Sequence, residues 1–234
     1  MQRDSIRKIF DQQAASYDQQ WSKMAPLRDA LHLLMGAVFS DLPEDAHILC
    51  VGAGTGAELI YLAERFPQWR FTVVEPSAAM LEVCRRRAGE QGIAPLCHFH
   101  EGYVEALDPE ENFDAATALL VSQFILEREA RAEFFRAIAR RLRPGGMLAS
   151  SDLASDTDSA AYQRLLEVWL QMMRAGGIPP EGLERMRAAY DRDVALLPPE
   201  QVEDIIMSGG FRTPTQFLQT GLIRAWYAKR APDA

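Results

Sequence analysis

The chain has 234 residues, 48% hydrophobic and 25% charged, which are the proportions of a soluble globular domain and exclude a disordered or fibrous chain. Lys plus Arg number 25 against 33 Asp plus Glu, a formal charge of -8, so nucleic acid is not an expected partner. No run approaches the ~20 apolar residues that span a bilayer, residues 1–13 carry no apolar signal core, and Cys50, Cys84 and Cys97 offer neither a disulfide framework nor zinc spacing.

In chain order, residues 1–40 read as helical. Ile6, Ile9, Phe10 and Ala14 recur at helical spacing, and Leu27, Leu31, Leu34 and Val38 do so after Pro26. This segment is expected to cap a domain spanning 41–234. His47–Val51 reads as a first strand, followed by glycines and an amphipathic helix over Glu58–Phe66 that Pro67 stops. Phe71–Val74 is a second strand, and Ser77 is a suitable N-cap for a helix running to Gly89. Leu96–Phe99 is a weaker third strand and Phe113–Val121 a fourth. A helix over Glu129–Leu142 ends at a Pro144-Gly145-Gly146 turn before a fifth strand, Met147–Ser151.

Helices over 158–175 and 181–191 form an insert covering 155–195. A short helix over 201–208 then leads to two strands, 211–219 and 222–229, joined at Thr220-Gly221 as a hairpin. This alternation predicts an α/β Rossmann-like three-layer sandwich. Its seven-stranded sheet is mostly parallel, with an antiparallel C-terminal hairpin strand and an N-terminal helical cap. The two basic runs, Arg85–Arg87 and Arg140–Arg143, fall on helices and read as solvated faces. Asp152, Asp156 and Asp158 are too loosely spaced for a metal and read as caps or solvated groups; no metal is expected. Unpaired cysteines suit a reducing, cytoplasmic compartment.

The segment between the first strand and its helix, Gly52-Ala53-Gly54-Thr55-Gly56, carries the chemistry. Gly52 permits a tight turn, and Gly54 lets backbone approach a ligand with no Cβ in the way. Gly56 opens a helix whose N-terminal amides suit a carboxylate or phosphate. With Ala57 the run also satisfies the G-x-G-x-x-G/A form of dinucleotide folds. Glu75 ends the second strand, where an acid can accept from both ribose hydroxyls and disfavours a 2′-phosphate. The common ligand element is adenosine with a free ribose.

These stretches, with Val73-Val74-Glu75-Pro76-Ser77, Glu101-Gly102-Tyr103, Phe113-Asp114-Ala115-Ala116 and Leu142-Arg143-Pro144-Gly145-Gly146, resemble class I S-adenosylmethionine-dependent methyltransferases from about residue 45 onward. The resemblance implies S-adenosyl-L-methionine as cofactor and S-adenosyl-L-homocysteine as product. It implies that Gly52, Ala53, Gly54 and Gly56 meet the methionine part and that Glu75 holds the ribose. Pro76, Ser77 and Met80 would line one adenine face, with Glu101, Gly102 and Tyr103 at its edge. Leu119, at the end of the fourth strand, would lie beneath the methyl group. Tyr17 and Arg28 of the leading helices would close over the cofactor, with Arg28 on its carboxylate.

Two positions depart from the family pattern. Glu101 stands where Asp is more frequent. Cys50 stands where an Asp or Glu usually precedes the glycine loop and orders groups around the cofactor's amino group, and a thiol cannot replace that charge. A looser resemblance, through Phe10-Asp11, Tyr17-Asp18, the insert and Gly209-Gly210-Phe211, is to the branch containing carboxy-SAM synthase. The arginine that binds the extra carboxylate there aligns with Ile205 here, which implies the ordinary cofactor.

The expected activity is methyl transfer to a small-molecule acceptor by in-line displacement, with a homodimer left open and no membrane partner. Trp21, Gln123 and Phe124 are candidate acceptor contacts, and Trp169 and Met173 candidates for the roof of an apolar pocket. His47 and His98 lie near strand beginnings, His32 on the cap and His100 near the adenine edge; none is assigned as a base. Two rival readings stand: a nucleotide-dependent oxidoreductase of the NAD type, and a non-catalytic relative for which Cys50 is the support.

Overall fold

The structure, a computed structural model, describes residues 2–108 and 112–232. The apolar runs become strands β1 (His47–Val51), β2 (Arg70–Glu75), β3 (Cys97–Glu101), β4 (Phe113–Leu119) and β5 (Leu142–Leu153), and the terminal pair β6 (Phe211–Thr220) and β7 (Ile223–Arg230). They form one sheet in the order β3-β2-β1-β4-β5-β7-β6. β7 runs antiparallel to both β5 and β6; the other pairings are parallel. Ile48, Leu49 and Cys50 of β1 are fully buried, as a strand covered on both faces requires.

The helices are α1 (Gln2–Gln13), α2 (Tyr17–Trp21), α3 (Ala25–Val38), α4 (Ala57–Arg65), α5 (Ala78–Glu90), α6 (Arg128–Ala139), α7 (Ala160–Ala175), α8 (Pro180–Asp193) and α9 (Pro199–Ser208). On one face Ile48, Phe71 and Val73 pack with Leu59 and Leu62 of α4 and Leu81 of α5. On the other, Leu49, Val74 and Ala116 pack with Phe134, Phe135 and Ile138 of α6 and Ile205 of α9. A third cluster joins Leu166, Trp169 and Met173 of α7 to Leu183 of α8 and Leu222, with Trp21, Met24 and Leu27 against it. The seven-stranded α/β sandwich expected from the sequence is therefore the architecture observed.

Three local expectations change. The leading 40 residues divide in two. Met35 of α3 and the adjoining Phe39 are fully buried with Ile48 and Trp69, so this helix is a fixed layer of the core, because its apolar face covers the sheet. Only α1 and α2 lie over the carboxyl ends of the strands. Pro144-Gly145-Gly146 lies inside β5, where the register against β4 slips between Phe113 and Ala115. A bulge absorbs the extra residues there, and Gly145 takes a φ of +77°.

The basic runs are not uniformly solvated either. Arg141 is 6% exposed and donates to the carbonyls of Ala137 and Leu107 at 3.0 and 2.6 Å. Arg87 reaches over to α2 and the glycine loop. Leu107, Asp18 and Thr55 are acceptors that only the tertiary fold brings near these guanidinium groups.

Candidate functional site

The strand order reverses between β1 and β4, and a crevice at such a switch point is where ligands bind in doubly wound sheets. The loop leaving β1 is pinned there. The amides of Gly52 and Ala53 both donate to the Val74 carbonyl, at 2.8 and 3.3 Å. Gly52 has a φ of +66°, and a Cβ on it would fall 2.5 Å from Val121 Cγ2. Gly54 has a φ of +54°, and a Cβ on it would meet nothing within 4 Å. The backbone thus demands glycine at 54 while the space beside it is open, as a ligand approaching the chain needs.

Glu75 is 6% exposed. Its Oε2 accepts from the Gly54 amide and its Oε1 from the Ser77 amide, both at 2.9 Å. Burial raises its pKa, and those two amide bonds oppose the rise. Ser77 caps α5 by accepting from the Met80 amide at 3.1 Å, as expected, and Met80 is buried. The Gly102 amide donates to the Glu75 carbonyl at 3.1 Å, which brings Glu101 and Tyr103 to the same edge. Leu119 ends β4, and Leu120 follows with a φ of +58°. A non-glycine residue there costs ~1–3 kcal/mol and persists only when its surroundings hold it. Here the Leu120 amide is held by the Ser151 carbonyl at 2.7 Å.

Helices α1 and α2 roof this edge. Asp11 Oδ1 accepts from Ser77 Oγ at 2.6 Å, and Asp18 Oδ1 from Thr55 Oγ1 at 2.8 Å. Arg87 bridges Asp18 Oδ2 at 3.0 Å and the Thr55 carbonyl at 2.9 Å. Phe124, Phe10, Tyr17 and Trp21 form a run of ring contacts with centroids 5.6, 6.4 and 6.3 Å apart in turn. Burial, with Asp18, Glu58 and Glu75 nearby, pushes the Tyr17 phenol up to about 12, so it stays neutral. Asp11 and Asp18 were not singled out as contacts from the sequence, although each follows an aromatic of the motif quoted for the leading helices.

These contacts dock α1 and α2 onto the loop after β1 and the start of α5. If α1 and α2 act as a lid, amide exchange across residues 5–21 should slow when S-adenosylhomocysteine is added. Asp18→Ala should reverse part of that protection. The pair is half solvated, so the loss is about 1 kcal/mol, roughly a fivefold faster exchange. Exchange that is equal with and without the ligand would mark the segment as permanently docked.

Other candidates fall elsewhere. Arg28 is exposed and its guanidinium is held by Asp29 at 2.8 and 3.0 Å, so the structure does not bring it to the loop. Trp169 and Met173 are buried in the insert's own core, where Trp169 Nε1 donates to the Tyr190 hydroxyl at 2.8 Å. Their spacing on α7 is a packing stripe. Gln123 is buried too; its Oε1 accepts from the Leu153 amide at 2.6 Å, so it braces the segment after β4. Trp21 packs on the insert, and its buried Nε1 has no partner among the described residues.

Asp152 is a clear correction. It is neither a cap nor solvated: it is fully buried and paired with fully buried Arg131 at 2.9 Å. Its Oδ2 also accepts from Ser122 Oγ at 2.7 Å and its Oδ1 from the Gln123 amide at 2.8 Å. Arg131 further donates from Nε to Ser122 Oγ at 2.9 Å and to the Ala195 carbonyl at 3.3 Å. The network ties α6, β5 and the end of the insert to the segment that follows β4.

Beneath the glycine loop sits a second buried acid. Glu58, in the first turn of α4, is 6% exposed, and its Oε1 has no partner among the described residues. Burial pushes its carboxyl up to about 8. Cys50 is fully buried with its thiol driven well above the usual range, first by desolvation and then by Glu58. An open glycine cradle, a strand-end acid and an orphaned carboxylate suit a ligand that carries both hydroxyls and a cation. Among the described residues no group of three or more His, Cys, Asp or Glu could hold a metal ion, and no helix is long and apolar enough to cross a membrane.

A family model described as a methyltransferase domain matches residues 48–146, from β1 into β5. Over that segment the chain is similar to methyltransferase domains. It is 29% identical over 172 residues to a fatty-acid O-methyltransferase of Mycolicibacterium smegmatis, a match covering 71% of this chain and 60% of that protein. It is 27% identical to a demethylmenaquinone methyltransferase of Deinococcus radiodurans, over 76% of this chain and 73% of that one. The structure of an O-methyltransferase family protein from Burkholderia thailandensis superposes with a TM-score of 0.65 at 14% identity. That match covers 96% of this chain and 59% of the other. This chain thus spans about 60% of the length of the first relative and of that structure.

Proposed function

We propose that the chain is an S-adenosylmethionine-dependent methyltransferase acting on a small-molecule acceptor, in a cytoplasmic setting and without nucleic acid. Its cofactor site is taken to be Gly52–Gly56, Glu75, Pro76, Ser77, Met80, Glu101–Tyr103 and Leu119, under Tyr17. The observation that carries the reading is the Glu75 carboxylate at the end of β2, joined to the Gly54 amide of a left-handed loop. Ile205 is fully buried in an apolar cluster, which supports the ordinary cofactor over a carboxylated one.

When bound, the cofactor supplies a methyl group on a positively charged sulfur, whose departure as a neutral thioether needs no acid. The protein's share is then alignment and a dry pocket. Holding nucleophile and methyl in line is worth ~7–11 kcal/mol in favourable cases. The roof of Phe10, Tyr17 and Trp21 suits the exclusion of water, and the Arg131–Asp152 network fixes the segment bearing Phe124, which faces Phe10.

Titration calorimetry with S-adenosylmethionine, S-adenosylhomocysteine and NAD tests the reading, followed by labelled-methyl turnover on a panel of fatty acids, phenols and quinols. Binding of the two S-adenosyl compounds, no binding of NAD, and label on one acceptor are expected. NAD binding alone would favour the oxidoreductase, and binding without any turnover a non-catalytic relative. Glu75→Ala should weaken S-adenosylhomocysteine roughly ten- to a hundredfold, because bonds to a charged acceptor are worth about 1.5–3 kcal/mol. An unchanged dissociation constant in folded protein would remove Glu75 from the site.

A further inference from the structure

We propose that Glu58 is the carboxylate that receives the ammonium of the cofactor's amino-acid portion, supplying from α4 the charge that Cys50 in β1 cannot. The proposal rests on the methyltransferase reading above.

Glu58 is 6% exposed, and its Oε1 has no hydrogen-bond partner among the described residues. An acceptor buried in that way is costly unless something completes it. The groups facing it do not. From β1 comes the Cys50 thiol, from β2 the Glu75 carboxylate, and from α2 the Tyr17 phenol. From α5 come the Cys84 thiol and the Arg87 guanidinium. Arg87 is the one cation of this set, and its Nη1 is committed to Asp18 and to the Thr55 carbonyl and hydroxyl, at 3.0, 2.9 and 3.1 Å. What the cluster lacks is a mobile positive charge.

The position suits one. Glu58 sits two residues past Gly56, on the helix that the glycine loop opens, and Gly54 leaves clear space beside the loop. Glu75 on the adjoining strand suits the ribose. A ligand lying along the loop with its hydroxyls at Glu75 has its amino-acid portion on the α4 side. An ammonium there would satisfy Oε1 and let a carboxyl that burial has pushed up to about 8 ionise. At pH 7 the free protein holds Glu58 mostly protonated, and the ligand's ammonium expels that proton. Atoms balance: one proton passes from Glu58 to buffer as the ammonium enters.

The test uses two ligands and one isosteric variant, Glu58→Gln. S-adenosylhomocysteine carries the amino-acid portion; 5′-methylthioadenosine keeps the adenosine and thioether without it. Calorimetry at pH 7, in buffers of different ionisation enthalpy, should show close to one proton released by wild type with S-adenosylhomocysteine and none with methylthioadenosine. Between pH 6 and 7.5 wild-type affinity for S-adenosylhomocysteine should rise with pH, approaching tenfold per unit. Glu58→Gln should bind S-adenosylhomocysteine ~10- to 100-fold more weakly, with no proton release and a flat pH profile. It should bind methylthioadenosine as wild type does, which also shows that the variant is folded.

Equal S-adenosylhomocysteine affinity in both proteins, or no proton release by wild type, overturns the assignment while leaving the cofactor reading intact. Wild type that binds neither ligand overturns the cofactor reading and this assignment with it.

Discussion

Replacing Arg131 by Met is expected to lower unfolding free energy by about 3–5 kcal/mol, because it leaves a buried carboxylate without its counter-charge. Arg131 and Asp152 are both 0% exposed and 2.9 Å apart. The substitution also strips Ser122 Oγ and the Ala195 carbonyl of their donors. Urea denaturation measures the change. The double variant Arg131→Met/Asp152→Leu should recover part of the loss but not all of it. The Gln123 amide, which donates to Asp152 at 2.8 Å, would then be a buried orphan costing about 1–3 kcal/mol. A single variant that loses under 1 kcal/mol would show that the pair does not hold the segment after β4.

Gly54→Val should abolish cofactor binding, a loss of at least about a hundredfold, while the fold survives. A β-branched residue at a φ of +54° is strained, yet no protein atom lies within 4 Å of its Cβ. The side chain therefore fills only the space meant for ligand. Gly92→Val is the matched control, since Gly92 has a φ of +72° and similarly open surroundings in the turn after α5. It should carry comparable strain and keep full affinity. Retained affinity in Gly54→Val would reduce the loop to a turn.

Most of the fold was legible because it is written in local periods. Alternating apolar runs and amphipathic stretches mark each strand and helix, Ser77 announces its own helix, and Gly52, Gly54 and Gly56 sit at left-handed backbone positions that favour glycine. What stayed hidden depends on partners distant in sequence. Arg131 reads as one more charge on α6 until β5 places Asp152 beside it. Asp18 and Arg87 are 69 residues apart and meet only because α2 folds over α5. Glu58 opens an amphipathic helix and looks like a polar-face residue, whereas the bend of the glycine loop turns it inward. Trp169 and Met173 misled for the converse reason: an apolar stripe is the same pattern whether it lines a pocket or, as here, an insert's own core. Pro-Gly-Gly signalled a chain reversal, and a bulge inside β5 met the same backbone demand.

A crystal structure of the protein grown with S-adenosylhomocysteine would locate the cofactor on the fold. The ligand should lie along Gly52–Gly56, with both ribose hydroxyls on Glu75, adenine between Met80 and the Glu101–Tyr103 edge, and α1 and α2 closed above it. Ligand bound away from the loop, or an empty loop in crystals of a protein saturated in solution, would contradict this placement.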